Sequence, residues 1–138
     1  MINAIVFYKI GRWFFVNGFP IIPIFFELLI FLIYNSKVPM NASIGKNTLF
    51  SYGGILHSRS VVGDDCVIGT NVTIGGRSKH YEVPIIGDNV YIATGAKILG
   101  PITVGNNVTI GANAVVIKDI PDNVVVAGVP AKIIKHND

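Results

Sequence analysis

Large apolar residues recur every six positions through most of the chain: Ile44, Phe50, Leu56, Val62, Ile68 and Ile74, then Ile86, Ile92, Ile98, Val104, Ile110 and Val116. Two positions ahead of each stands a mostly smaller residue, in Ala42, Thr48, Gly54, Ser60, Cys66 and Val72, then Val90, Ala96, Ile102, Val108 and Ala114. Glycine follows one position behind, at Gly45, Gly63, Gly69, Gly75, Gly87, Gly105 and Gly111. A helix repeats its apolar face at about 3.6 residues and a strand at about 2, so a sustained period of six fits neither a long helix nor a meander. It predicts a solenoid of short strands, each turning at a small residue. One large and one small side chain per hexad point inward, and three such strands close a triangular coil of about 18 residues. The expectation is an all-β solenoid, a parallel β-helix of about four coils, occupying residues 39–138.

Residues 2–34 carry no hexads and are very apolar. Pro20 and Pro23 divide them, so helices are expected near residues 2–16 and 24–34, joined by a turn over Asn17–Pro23. The second apolar run, Ile21 to Tyr34, is interrupted by Glu27 and falls short of the about 20 apolar residues that a bilayer span requires. No basic start precedes it and no small-residue cleavage motif follows, which argues against a signal peptide. We read residues 1–38 as a helical segment that caps the open end of the solenoid, where backbone groups would otherwise go unpaired. Peripheral contact with a membrane surface is its alternative use.

The hexads break once. Between Ile74 and Ile86 one rung is missing, and His80 stands in the vacant slot within the polar stretch Gly75–Pro84. That stretch is expected to leave the coil as a loop, carrying a histidine, an acid (Glu82) and two cations on a rigid support.

Charge and cysteine content narrow the partners. The net charge is +3, and Lys and Arg are spread without a basic run, so nucleic acid is not expected. The single cysteine, Cys66, falls on the small-residue ladder and reads as a core filler. His57, His80 and His136 are too dispersed for a zinc site, and no metal is expected. His136 sits near the C-terminus, where fraying is expected.

The hexads VVGDDC, VIGTNV, IIGDNV, TVGNNV and TIGANA, with VTIGG at Val72–Gly76, GAKILG at Gly95–Gly100, IGANAVV at Ile110–Val116 and AGVPAKII at Ala127–Ile134, resemble the hexapeptide-repeat acyltransferases of serine acetyltransferase-like and sugar O-acetyltransferase type. The resemblance covers about residues 38–135. It implies a left-handed coil, acetyl-CoA as co-substrate, a cytoplasmic homotrimer with active sites between subunits, and O-acetyl transfer. Because only a short helical segment precedes the coils, a sugar hydroxyl of a polysaccharide or glycan precursor is the expected acceptor. A serine acetyltransferase and a non-catalytic β-helix scaffold are the alternatives.

Stacking at three hexads per coil predicts a column of His57, Gly75, Ala93 and Gly111, flanked by Ser58, Gly76, Thr94 and Ala112. Small residues along such an edge would open backbone groups to the pantetheine arm of coenzyme A. The resemblance matches Thr94 and Ala112 to positions contacting that arm, and Gly76, Ala93 and Gly111 complete the expected set. Lys118 and Lys132 are the expected phosphate partners, as point charges able to follow a flexible phosphate. Acetyl transfer to a hydroxyl needs a general base, for which histidine is suited near neutral pH. The family's coil histidine lies in a DHATG-like stretch, whereas this chain reads Phe50-Ser-Tyr-Gly-Gly54 there, without histidine. His80 is therefore the preferred base, His57 the other candidate, and Glu82 the group expected to orient His80.

Overall fold

The computed structural model describes residues 3–137. Two helices come first, α1 (Ala4–Val16) and α2 (Ile22–Tyr34). The first coil is β1 (Ser43–Ile44), β2 (Leu49–Phe50) and β3 (Ile55–Leu56), and the second β4 (Val61–Val62), β5 (Val67–Ile68) and β6 (Thr73–Gly75). The third is β7 (Ile85–Ile86), β8 (Tyr91–Ile92) and β9 (Lys97–Leu99), and the fourth β10 (Thr103–Val104), β11 (Thr109–Ile110) and β12 (Val115–Val116). The chain closes with β13 (Val124–Ala127) and β14 (Lys132–His136).

Three sheets form the faces of a prism: β1-β4-β7-β10, β2-β5-β8-β11-β13 with β14 added at its end, and β3-β6-β9-β12. All pairs are parallel except β13 with β14. Two-residue strands are stable here because each coil supplies the hydrogen-bond partners of the next. The rungs from Phe50 onward are almost wholly buried, with Ile68, Ile74, Ile92, Ile98 and Ile110 at 0% exposure, and Ile44 of the first coil is partly buried. Full burial of each such side chain contributes about 1.5–3 kcal/mol. At one corner the coils approach so closely that a Cβ on Gly63 would lie 2.5 Å from the Gly87 carbonyl oxygen, which accounts for the glycine that follows the rung.

The register changes step where the polar loop leaves the coil. Ser43 pairs with Val61, Leu49 with Val67 and Ile55 with Thr73, each a step of three hexads. Between the second and third coils the partners are Val61 with Ile85, Val67 with Tyr91 and Thr73 with Lys97, a step of four hexads. Between the third and fourth coils the step returns to three, as in Ile85 with Thr103. One hexad is therefore extruded and the coil resumes in phase: the Val61 amide reaches the Pro84 carbonyl just as the Ser43 amide reaches that of Ser60.

The helices close the first coil with side chains that hexad counting does not register. Asn3 caps α1 by accepting from Ile5 N at 3.1 Å and also accepts from Phe50 N at 3.3 Å. The Tyr8 hydroxyl donates to Ala42 O at 2.6 Å and accepts from Ile44 N at 3.2 Å. Glu27 accepts from Met40 N at 2.8 Å, and Arg12 donates to Met40 O. These bonds satisfy backbone groups at the open edge, the role expected for a cap. Gly11 permits the close crossing, since a Cβ there would lie 2.8 Å from that of Phe26. Helix α2 starts two residues before the expected position because Pro23 falls in its first turn, where a missing N–H costs nothing. His136 is not frayed: it pairs with Val124 across the β13–β14 hairpin. Residue 2, in the expected first helix, lies outside the described residues.

Candidate active site

His57 leaves β3 at the corner between the β3-β6-β9-β12 face and the β1-β4-β7-β10 face. Its amide donates to Ile74 O at 2.8 Å, and its carbonyl accepts from Ser60 N at 3.0 Å, so the backbone is held from both sides. The half-buried ring accepts from Arg59 N through Nδ1 at 3.2 Å. That bond engages the Nδ1 lone pair, and the neutral tautomer it implies carries its proton on Nε2. In this state His57 is a hydrogen-bond donor. The ring borders a cleft of about 230 Å³ with Ser58, Thr73 and Gly75 on one side and Lys37 and Pro39 on the other. Sequence reasoning missed Lys37, whose backbone bridges Ile55 just before the first coil.

The extruded hexad emerges from the same corner one coil later. His80, Tyr81 and Glu82 are exposed, and a turn forms where His80 N donates to Arg77 O at 3.0 Å. The loop is tied back by the Arg59 guanidinium, which donates to the Tyr81 carbonyl. Arg59 therefore joins the two histidine-bearing segments, its amide on the His57 ring and its side chain on the Tyr81 carbonyl. Glu82 makes no hydrogen bond to His80 among the described residues.

The expected column does not form a single edge. The extruded hexad shifts the stacking, so Gly75 lies against Leu99 rather than Ala93. Ala93 and Gly111 follow Gly69 instead: Gly69 N reaches Ile92 O at 2.8 Å, Ala93 N reaches Ile110 O at 2.9 Å, and Gly111 N reaches Val126 O at 2.8 Å. This small-residue edge lies on the opposite side of the β3-β6-β9-β12 face from His57. Thr94 and Ala112 accompany it and are exposed, whereas Gly76 stays with the His57 corner at the start of the loop. A larger cleft, about 370 Å³, opens beside the small-residue edge and includes Thr94, Thr70, Ser51, Tyr52 and Tyr91. The Ser51 and Thr70 hydroxyls pair there at 2.9 Å. Tyr52 belongs to the stretch where the resembling family carries its coil histidine.

Lys118 and Lys132 are exposed near the C-terminal end of the prism. Cys66 is fully buried, with Sγ 3.2 Å from Gly87 O, and burial pushes its thiol pKa up, which keeps it protonated and unreactive. Among the described residues no group of three or more His, Cys, Asp or Glu side chains is placed to hold a metal ion.

Residues 84–118 match the family described as bacterial transferase hexapeptide (six repeats), and residues 60–77 match the hexapeptide repeat of succinyl-transferase. A serine acetyltransferase of Synechococcus elongatus is 33% identical over 136 residues, covering 96% of this chain and 56% of that protein. The crystal structure of a serine acetyltransferase in complex with coenzyme A from Brucella abortus superposes with a TM-score of 0.90 at 33% identity, covering 98% of this chain and 56% of that one. A serine acetyltransferase in complex with cysteine gives 0.89 at 32% identity, covering 98% and 54%. The chain thus spans about half the length of the relatives it matches. Sequence and backbone agree on a class, the left-handed β-helix proteins built from hexapeptide repeats. Within that class the chain is similar, over nearly its whole length, to serine acetyltransferases.

Proposed function

We propose that this protein is an acetyl-CoA-dependent O-acetyltransferase that acts on the hydroxyl of a small acceptor. The observation that carries the reading is the meeting, at one corner of the prism, of His57 and the loop that bears His80, joined through Arg59. His80 is the proposed base. It takes the acceptor's hydroxyl proton as the oxygen attacks the thioester carbonyl, and returns it to the departing coenzyme A sulfur when the tetrahedral adduct collapses. His57, donating through Nε2, holds an oxygen of the acceptor or of that adduct. Glu82 orients His80 once acceptor closes the loop.

The two edges of the β3-β6-β9-β12 face suggest how coenzyme A is bound. His57 and Gly76 lie on one edge, while Ala93, Thr94, Gly111 and Ala112 lie on the other. A threefold assembly would bring the histidine edge of one subunit against the small-residue edge of the next, with the pantetheine arm between them and Lys118 and Lys132 at the phosphates. We therefore propose a homotrimer with shared sites, residues 1–38 serving as cap and residues 39–138 as the acyltransferase domain.

Serine leads as acceptor, because the relatives described above are serine acetyltransferases. A glycan hydroxyl is the second reading, favoured by the larger cleft, whose tyrosines and paired hydroxyls suit a sugar ring. Coenzyme A release should be measured with serine and a panel of sugars, alongside light scattering for subunit number. Turnover with serine alone supports the first acceptor, and turnover with sugars alone the second. Absence of acetyl-CoA binding would overturn the enzyme reading. His80→Ala should lower turnover about 10²–10⁴-fold while leaving the trimer intact. Near-normal turnover would remove His80 as the base.

A further inference from the structure

We propose that the outer face of the α1–α2 hairpin docks on an anionic lipid surface, with the hairpin lying in the interface rather than crossing it. The inference is independent of the acetyl-transfer reading. Helix α2 buries Pro23, Ile30 and Tyr34, holds Ile22, Phe26 and Leu29 partly buried, and turns outward Ile24 at 63% exposure, Phe25 at 56%, Leu28 at 51% and Leu32 at 68%. Helix α1 adds Ile10 and Trp13, the latter at 59%. A contiguous apolar surface of this kind marks a site of association.

Three observations select lipid as the occupant. First, the only charge on α2 is Glu27, and its carboxylate is already engaged by Met40 N. A protein interface is normally ringed by polar residues; α2 offers no such rim. Phe31, Leu32 and Ile33 are exposed in succession, which spreads the apolar surface across about 200° of the helix, wider than a single protein-facing stripe. Acyl chains can wrap such a surface. Second, charge is complementary: residues 3–41 carry Lys9, Arg12 and Lys37 against that one engaged carboxylate, and Lys9 and Lys37 are exposed. Cations beside an apolar face favour anionic headgroups. Third, each helix has 13 residues, about 20 Å at 1.5 Å per residue, against a hydrocarbon core of about 30 Å. No helix among the described residues is long and apolar enough to cross a membrane. The His57 cleft includes Lys37 and Pro39, which directly follow α2, so docking would set that cleft close to the lipid surface.

The test is flotation of the full chain through a density gradient with vesicles of phosphatidylcholine alone or mixed with phosphatidylglycerol. The chain should float with the mixed vesicles and much less with phosphatidylcholine alone. Phe25→Ser/Leu32→Ser changes only exposed side chains. It should reduce bound protein at least about tenfold while preserving the circular-dichroism spectrum and melting transition. Lys9→Glu should weaken binding to the mixed vesicles alone. Failure of the parent chain to float would overturn the proposal, as would equal flotation of the double variant. So would self-association in vesicle-free solution that the double variant abolishes while vesicles bind neither form, since a second copy would then be the occupant.

Discussion

Excision of Arg77–Glu82 separates the coil from what it carries. The deletion joins Gly76 to Val83 and leaves Gly75, Gly76, Val83 and Pro84 between Ile74 and Ile85. The corner one coil earlier has the same length, His57 to Ser60 between Leu56 and Val61. All three faces step by four hexads across this break, so excising one hexad restores the usual three on every face together. No rung is lost, and Pro84 keeps its place above Ser60. Shortening the loop threefold, from Gly76–Pro84 to Gly76, Val83 and Pro84, lowers its closure entropy by (3/2)RT ln 3, about 1 kcal/mol in favour of folding. Loss of the exposed Arg59–Tyr81 hydrogen bond opposes this by about 1 kcal/mol. Net stability should stay within about 1 kcal/mol, so the melting temperature followed by circular dichroism should shift by no more than about 5 °C. Turnover should fall about 10²–10⁴-fold with His80 and Glu82 gone. A folded deletion protein with near-parental turnover would refute the placement of the base on the loop. A deletion protein that loses its cooperative transition would refute the claim that the extruded hexad is structurally dispensable.

Tyr8→Phe removes the hydroxyl that serves Ala42 O and Ile44 N, leaving two backbone groups without that partner and costing about 2–3 kcal/mol in a denaturant titration; a loss under about 0.5 kcal/mol would show that water replaces it. Burial raises the Tyr8 pKa above its ordinary value of 10.0, against the lowering effects of Arg12 and the Ile44 hydrogen bond. The folded state thus holds this proton where the unfolded chain releases it, so Tyr8 should contribute a fall in stability as pH rises above about 10; a Tyr8→Phe variant with the same alkaline slope would contradict this. Ser60→Ala deletes a buried hydroxyl with no partner among the described residues and should be neutral or stabilising by up to about 1–2 kcal/mol; a clear loss in melting temperature would point to a water or ligand bond at that oxygen.

The coil was legible because its physics is periodic. Every rung from Phe50 to Val116 faces inward, and the small-residue ladder fills the narrow interior, as hexad spacing implies. The edges were less legible. Counting three hexads from Gly75 to Ala93 treats the extruded hexad as part of the perimeter, but a loop outside the coil uses none of it, and Gly75 meets Leu99 instead. The break itself was visible at His80, and a step of four hexads across it was the signal for the correct stacking. Asn3, Tyr8, Arg12 and Glu27 left no such signal, because each serves backbone groups at one end of the solenoid and repeats nowhere. Arg59 was hidden for a similar reason: its role depends on where the loop folds back.

The helical hairpin also fixes where growth along the coil axis stops. A parallel coil has no end of its own, since its terminal rung presents the same row of amides and carbonyls that the next rung would use. The Phe50 and Ile44 amides, taken up by Asn3 and Tyr8, belong to that row. Left open, they could accept the last coil of another molecule in a head-to-tail contact that never closes on itself, the geometry of a fibre. The hairpin acts as a chain terminator, holding a sequence able to propagate without limit to particles of finite length.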